Sequence, residues 1–286
     1  MNLVPFYITH AFSKDSLKGN AAGVVNNADD LTEQQMQQIA TELKCSETAF
    51  ILTSNAPDYK LRFFSPIREV DLCGHATIAT FHTLKETAQI RKNTTTIETN
   101  VGVLKVDIKD DLVTMEQNNP IFKDTEIDIS EIADCLNINK VEIFDDIPIG
   151  IVSTGIFSIK TGIKSLKTMR QLKPNFEKIE RVCREVGAVA LFVFTFETEY
   201  ESSYVHCRCF APVFGVNEDP VTGTANGALG AFLKKHNLLK TNNYWSEQGF
   251  ELGKNGLVNV EVSDKVKVGG YAHIAVRGTI DLADSK

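Results

Sequence analysis

Hydrophobic positions fall at the spacing of a helix face in two separate stretches, and the same succession of short apolar runs follows each. In the first, Met36, Ile39, Ala40 and Leu43 recur at helical steps and predict an amphipathic helix over 32–43. Asp30 or Thr32 can cap it, with Glu33 in its first turn. Apolar runs at 49–52 and 60–64 predict strands, the second ending at Ser65-Pro66. Gly74-His75-Ala76-Thr77 then opens a largely apolar helix through Leu84. In the second stretch, Phe176, Ile179, Val182, Cys183 and Val186 predict a helix over 175–186, with Gly187 as its stop. Strands follow at 189–194 and 205–210, ending at Ala211-Pro212, before Gly223-Thr224-Ala225-Asn226-Gly227 opens a helix through Lys234.

The pairing of Phe64-Ser65-Pro66 with Phe210-Ala211-Pro212, and of Gly74 with Gly223, marks a duplicated unit whose second copy carries a loop longer by three residues. Both Gly-led helices are rich in alanine and glycine, so neighbouring backbone can approach closely on several sides. A helix apolar around most of its circumference is buried. Each half is therefore expected to wrap a curved, mostly antiparallel sheet around a central helix, an α+β (mixed α/β) architecture. Strand patterns at 95–99, 101–108, 112–117, 150–159 and 258–262 supply the sheets, and 120–148 reads as the linker region.

With 286 residues, 43% of them hydrophobic, the chain can bury a substantial core. Its 30 basic and 37 acidic residues give a net charge of −7 without any Lys/Arg block, which argues against nucleic acid or an anionic membrane surface as partner. The opening run, Met1 to Ile8, lacks a basic flank and meets polar Thr9 and His10, so it reads as a strand and not as a signal peptide. No stretch reaches the length of a membrane span. Six cysteines without paired spacing read as free thiols of a reducing cytoplasm.

Candidate chemistry gathers at the two Gly-led helix starts. The free N–H groups of a first helical turn, together with the positive end of the helix dipole, form an anion site. Two such tips facing one cleft could hold a carboxylate and stabilise an enolate-like charge. Taken singly, either glycine has a plainer explanation as relief of crowding where strand meets helix. Glu47, between an amphipathic helix and an apolar strand, can serve as a general acid/base, although a solvated loop glutamate is the commoner identity of such a residue. His75 could donate to an anionic intermediate or simply be a satisfied cap, and Asp219 could be an ordinary turn or cap residue. The six histidines show no ligand spacing and join no cysteine cluster, so no metal site is expected. No nucleotide fingerprint or phosphate loop occurs, and no nucleophile elbow.

At these same residues the chain resembles the PhzF-like family, the phenazine-biosynthesis isomerase group that shares the diaminopimelate epimerase fold. The likeness runs nearly end to end. It includes Gly19-Asn20-Ala21-Ala22-Gly23-Val24-Val25, Ser46-Glu47-Thr48-Ala49-Phe50, Cys73-Gly74-His75-Ala76-Thr77, Glu218-Asp219-Pro220-Val221-Thr222-Gly223-Thr224-Ala225 and the closing Gly269-Gly270 strand. The resemblance implies two pseudo-symmetric domains, here 1–117 and 118–273, with the last strand at about 274–286 returning to the first. It also implies a homodimer, no cofactor, and an active site between the domains for a small anionic metabolite. Glu47 matches the family's proton-shuttling carboxylate, while His75 and Asp219 match the residues that hold the substrate and assist proton movement. Gly74, Gly223 and Thr224 match contacts at the helix starts, and Ser46 neighbours the shuttle.

Two departures stand out: the family's usual Gly-Asn-Pro-Ala becomes Gly19-Asn20-Ala21-Ala22, and His10 stands where an Asp is common. Two-cysteine epimerases of this fold need a thiol on each face of the substrate carbon, yet here Cys73 is matched by Thr222, whose hydroxyl is too weak a base to replace a thiolate. The expected function is accordingly a proton-shift isomerase with Glu47 as general acid/base. The alternatives are an epimerase or racemase using Glu47 with Cys73, and a non-catalytic metabolite-binding or interaction module of the same fold.

Overall fold

The computed structural model describes residues 2–90 and 92–282, and the chain divides into two compact units, Met1–Glu116 with Gly269–Lys286, and Gln117–Val268. The first unit begins with strands β1 (Asn2–Ala11) and β2 (Asn20–Val25) and helix α1 (Glu33–Leu43). Thr32 caps α1 through a capping box with Gln35, and Met36, Ile39 and Ala40 form the buried face that the sequence predicts. Strands β3 (Glu47–Leu52), β4 (Tyr59–Phe64) and the short β5 (Glu69–Val70) lead to helix α2 (Gly74–Glu86), followed by β6 (Thr94–Thr99), β7 (Gly102–Lys109) and β8 (Leu112–Glu116). Every residue of α2 from Gly74 to Leu84 is buried, and the helix packs against β1, β2, β3 and β8. Helix α1 covers the sheet elsewhere, in a cluster with Val4, Val25, Phe50 and Phe64.

The second unit repeats this plan. It starts with β9 (Ile121–Lys123) and α3 (Ile129–Leu136), continues through β10 (Gly150–Ser153), β11 (Phe157–Gly162), α4 (Leu166–Gln171), α5 (Phe176–Glu185), β12 (Ala190–Thr195), β13 (Ser203–Ala211) and β14 (Val216–Asp219), and reaches helix α6 (Gly223–Lys235). Strands β15 (Asn243–Gln248), β16 (Gly256–Val262) and β17 (Val266–Gly270) follow. Helix α6 packs against β10, β11 and β16. Its small residues are required there: a Cβ on Gly230 would lie 2.7 Å from Val260 Cγ1 and 2.8 Å from Val262 Cγ2. The last strand, β18 (Ala272–Leu282), pairs antiparallel with β1 in the first unit.

Strand pairing shows the duplication more clearly than the sequence does. In the first unit β2 runs parallel to β3, β3 antiparallel to β4, and β4 parallel to β6 across the α2 crossover. In the second, β11 runs parallel to β12, β12 antiparallel to β13, and β13 parallel to β15 across α6. Register extends to side chains. Phe50 pairs with Arg62 as Val193 pairs with Arg208, so Glu47 at the head of β3 corresponds to Ala190 at the head of β12.

A second repeated position carries an ion pair. Lys60 faces Glu98 on the parallel ladder of the first unit, 3.0 Å apart and half exposed. The corresponding pair in the second unit is His206 and Glu247, both fully buried, with Nδ1 2.7 Å from Glu247 Oε1 and Nε2 3.0 Å from Glu251 Oε1. Burial opposes a charged His206, but hydrogen bonds to the two glutamates outweigh it and raise its pKa above the ordinary 6.5. Burial likewise opposes an ionised Glu251, and the bond from His206 outweighs it and holds this carboxyl below the ordinary 4.5. This contribution to stability is complete between those two ordinary values. It is lost as pH rises through the raised His206 value, and on the acid side as pH falls through the depressed Glu251 value. Urea melts as a function of pH will show the alkaline fall in the wild type and not in His206→Gln. Equal alkaline slopes in both would mean that His206 is not the charge being titrated.

Three expectations change. The run 150–159 is two strands, since the backbone reverses at Thr154–Ile156 and β10 pairs antiparallel with β11. The stretch 120–148 is not a linker: Asp128 caps α3, and Ile132, Ala133, Cys135 and Leu136 enter the core of the second unit. The chain re-enters the first unit at Gly269, earlier than 274, because the backbone there lies against β8, where a Cβ on Gly269 would sit 2.8 Å from the Val113 carbonyl oxygen. Residues 283–286 of the returning segment lie outside the described residues.

Candidate active site

Local geometry gathers four of the predicted side chains in the first unit. Helix α1 ends at Lys44, whose left-handed backbone (φ 53°) turns the chain so that Cys45-Ser46 leads directly into β3. Glu47 is thus the first residue of a strand, not a loop glutamate, and Ala22 of β2 pairs with it. Opposite, β5 delivers the chain to Cys73, the N-cap of α2. The Cys73 thiol lies 3.6 Å from Glu47 Oε2 and 3.3 Å from His75 Nδ1, while His75 Nε2 lies 3.4 Å from Glu47 Oε2 and 3.1 Å from Ser46 Oγ. His75 is buried, and Glu47 keeps 24% of its side-chain surface accessible. The carboxylate is therefore neither sealed in the core nor free in solvent, which is the position of a group that must meet a ligand.

Asp219, Gly223 and Thr224 belong to the second unit. Asp219 ends β14 opposite Cys209, and its carboxylate accepts the hydroxyl proton of Thr222, the N-cap of α6. The same hydroxyl accepts from Gln248 Nε2 at 3.2 Å, so it is engaged both as donor and as acceptor. No local pattern announces the amide scaffold behind it. Gln248 accepts from the Thr222 N–H at 3.1 Å and from Asn226 Nδ2 at 2.9 Å, and donates to the Asp219 carbonyl at 2.9 Å. Lys160, fully buried under the first turn of α6, donates to the Ala225 carbonyl at 2.7 Å and to Ser158 Oγ at 2.8 Å. Burial pushes its ammonium down to about 7. A lysine in the apolar 157–162 run was a visible signal, whereas Gln248 and Asn226 carried none.

Capping separates two helices from the rest. Side chains cap α1 (Thr32), α3 (Asp128), α4 (Ser165) and α5 (Asn175). The N-termini of α2 and α6 carry no side-chain cap, although both begin beside the residues described above. Their first-turn N–H groups lack intrahelical partners and remain available to an anion. Burial also sorts the cysteines. It pushes the thiols of Cys45 and Cys135 up to about 11, and those of Cys183, Cys207 and Cys209 up to about 12, so these five stay protonated and inert. Cys73 differs in having an imidazole and a carboxylate beside its sulfur. No disulfide joins any of the six cysteines. Among the described residues no helix is long and apolar enough to cross a membrane.

Two lobes of duplicated topology, each with a sheet around a central helix, and a carboxylate beside one uncapped helix tip define an isomerase of the diaminopimelate epimerase-like fold. The chain belongs to the phenazine biosynthesis-like (PhzC-PhzF) family, whose pattern it matches over residues 9–279. It is 37% identical over 282 residues to an uncharacterized isomerase of Bacillus subtilis, YfhB, covering 96% of this chain and 95% of that protein. An uncharacterized isomerase of Clostridium acetobutylicum is 37% identical over 294 residues, covering 96% and 97%. Among solved structures, a PhzF-family phenazine biosynthesis protein of Bacillus anthracis superposes with a TM-score of 0.92 at 31% identity, covering 99% of this chain and 100% of that one. A hydroxyproline epimerase of Agrobacterium vitis shares the fold at a TM-score of 0.63 and 13% identity, covering 100% of this chain and 93% of that one.

Proposed function

We propose that the protein catalyses a cofactor-independent proton shift on a small carboxylic acid. Glu47 takes a proton from a carbon made acidic by a neighbouring carboxylate or unsaturated system, and the C–H electron pair spreads into that system. The same carboxyl then returns the proton to another carbon of the substrate, so no oxidant or reductant is consumed. The uncapped start of α2 at Gly74 meets the substrate's negative charge, His75 orients it and Ser46 stands beside the shuttle, while Gly223 and Thr224 at the start of α6, with Asp219, contribute in the same way. The observation that carries this reading is the single, partly accessible carboxylate at the head of β3, matched by Ala190 in the other repeat.

An epimerase using Glu47 and Cys73 as its two bases is disfavoured by their proximity. Groups working on opposite faces of one carbon, each at about 3–3.5 Å from it, stand roughly 6–7 Å apart. Glu47 Oε2 and the Cys73 sulfur are 3.6 Å apart and would approach from one side.

The test is solvent deuterium uptake, followed by NMR, across a panel of small mono- and dicarboxylic acids that includes aromatic and cyclohexadienyl ones. The expected result is deuterium at two carbons of at least one acid, retained in Cys73→Ala. Ligand binding without exchange anywhere in the panel would favour a non-catalytic binding protein. Inversion at one carbon that is lost in Cys73→Ala would favour the epimerase.

A further inference from the structure

Glu47, Cys73 and His75 come from two elements 26 residues apart, so no ligand spacing in the sequence announces them as a set. In space, their ligand atoms all lie within 4.8 Å of one another. The triangle formed by Cys73 Sγ, His75 Nε2 and Glu47 Oε2 has sides of 3.4, 3.6 and 3.9 Å. A tetrahedral zinc ion with bonds of about 2.3 Å to sulfur and about 2.0–2.1 Å to nitrogen and oxygen spans its ligands by roughly 3.3–3.6 Å. The triangle is thus one face of a tetrahedron, open by a few tenths of an ångström along the Sγ–Nε2 edge.

We propose that these three side chains form a reversible binding site for a borderline-soft divalent cation, with zinc the best match, and that its occupation inhibits the enzyme. One thiolate, one imidazole and one carboxylate suit zinc or cobalt and not magnesium or calcium, which take oxygen ligands. Three protein ligands leave the fourth position open to water, as in a site that exchanges its metal. Binding releases the Cys73 proton to solvent and forms the metal–sulfur bond, with no change of oxidation state. It also displaces the Ser46 hydroxyl from His75 Nε2, leaving the Nδ1–H directed at the Cys73 sulfur. Both Sγ and Nε2 then hold the metal on the floor of the site, and Glu47 Oε2 can no longer accept a carbon-bound proton.

Metal binding stands on geometry alone, whereas the inhibition rests on the assignment of Glu47 as the proton shuttle. The two can be separated experimentally. Chelator-treated full-length protein titrated with Co²⁺ alone should develop a near-ultraviolet thiolate-to-cobalt charge-transfer band and visible bands of tetrahedral intensity, both displaced by Zn²⁺. Cys73→Ser should abolish the charge-transfer band and Cys45→Ser should keep it. Glu47→Gln should weaken cobalt binding by at least the roughly 10–100-fold that even outer partners of metal ligands contribute. Absence of the band in the wild type, or its persistence in Cys73→Ser, would overturn the site. If cobalt binds as described but Zn²⁺ leaves deuterium exchange untouched, the site stands and the inhibition, with the role of Glu47, falls.

Discussion

Glu47→Gln will abolish measurable deuterium exchange, with an expected loss of about 10²–10⁴-fold, the range a positioned general acid/base contributes. In activation terms this is roughly 3–5 kcal/mol, at about 1.4 kcal/mol for each factor of ten. The loss is expected to be full because the duplicated scaffold offers no substitute. The corresponding residue at the head of β12 is Ala190, and the residue matching Cys73 at the start of α6 is Thr222, whose hydroxyl is donated to Asp219. Glutamine keeps the size of the side chain, and Glu47 is partly accessible, so the stability change should stay within about 0.5 kcal/mol. Activity and stability therefore separate cleanly in this variant. A fall in both would point to a structural role for Glu47 in holding His75, 3.4 Å away, and retained exchange would remove it from the chemistry altogether.

What the sequence made legible, and what it hid, divides along physical lines. Helices α2 and α6 could be read because burial on all sides forces a long, largely apolar and small-residue pattern, and Met36, Ile39 and Ala40 marked α1 because one-sided burial imposes its own period. Glu47 was marked by motif, but not its place at the head of a strand, because the turn at Lys44 depends on a left-handed backbone conformation at a lysine. Helix α3 carries only eight residues, too few turns for its apolar face to stand out from a loop containing isoleucines. The turn in 150–159 had one glycine to announce it, and Ile156 disguised it by being an exposed apolar residue. The contact between Cys73 and Glu47, and the Gln248 amide scaffold, are products of strand pairing across long sequence separations. Local pattern carries no trace of them.

Duplication supplies an internal control for the largest stability effect expected here. Arg62 and Arg208 occupy the same register position, and each forms a two-pronged pair with a glutamate on the next strand: Arg62 with Glu69 at 2.7 Å through both nitrogens, and Arg208 with Glu218 at 2.8 Å through both. Each guanidinium also lies over a phenylalanine two residues on, Phe64 at 5.1 Å and Phe210 at 5.0 Å. Burial is what differs: side-chain exposure is 20% and 24% in the first pair, and 8% and 10% in the second. Arg208 in addition donates to the Met169 carbonyl, whereas Arg62 reaches the exposed Glu33. Removing one partner of a buried pair strands the other charge, so Arg208→Met should cost about 3–5 kcal/mol. In Arg62→Met, water can still reach Glu69, and the cost should be near 1 kcal/mol. Adding Glu218→Leu to Arg208→Met should recover much of the loss, because it removes the stranded carboxylate itself. Chemical denaturation of the two single variants and the double variant decides the matter. Equal losses at the two positions would show that geometry, and not burial, sets the strength of these pairs. Glu218 also immediately precedes Asp219, so the buried pair fixes the strand end from which that carboxylate meets Thr222, and Arg208→Met should lower exchange activity where Arg62→Met does not.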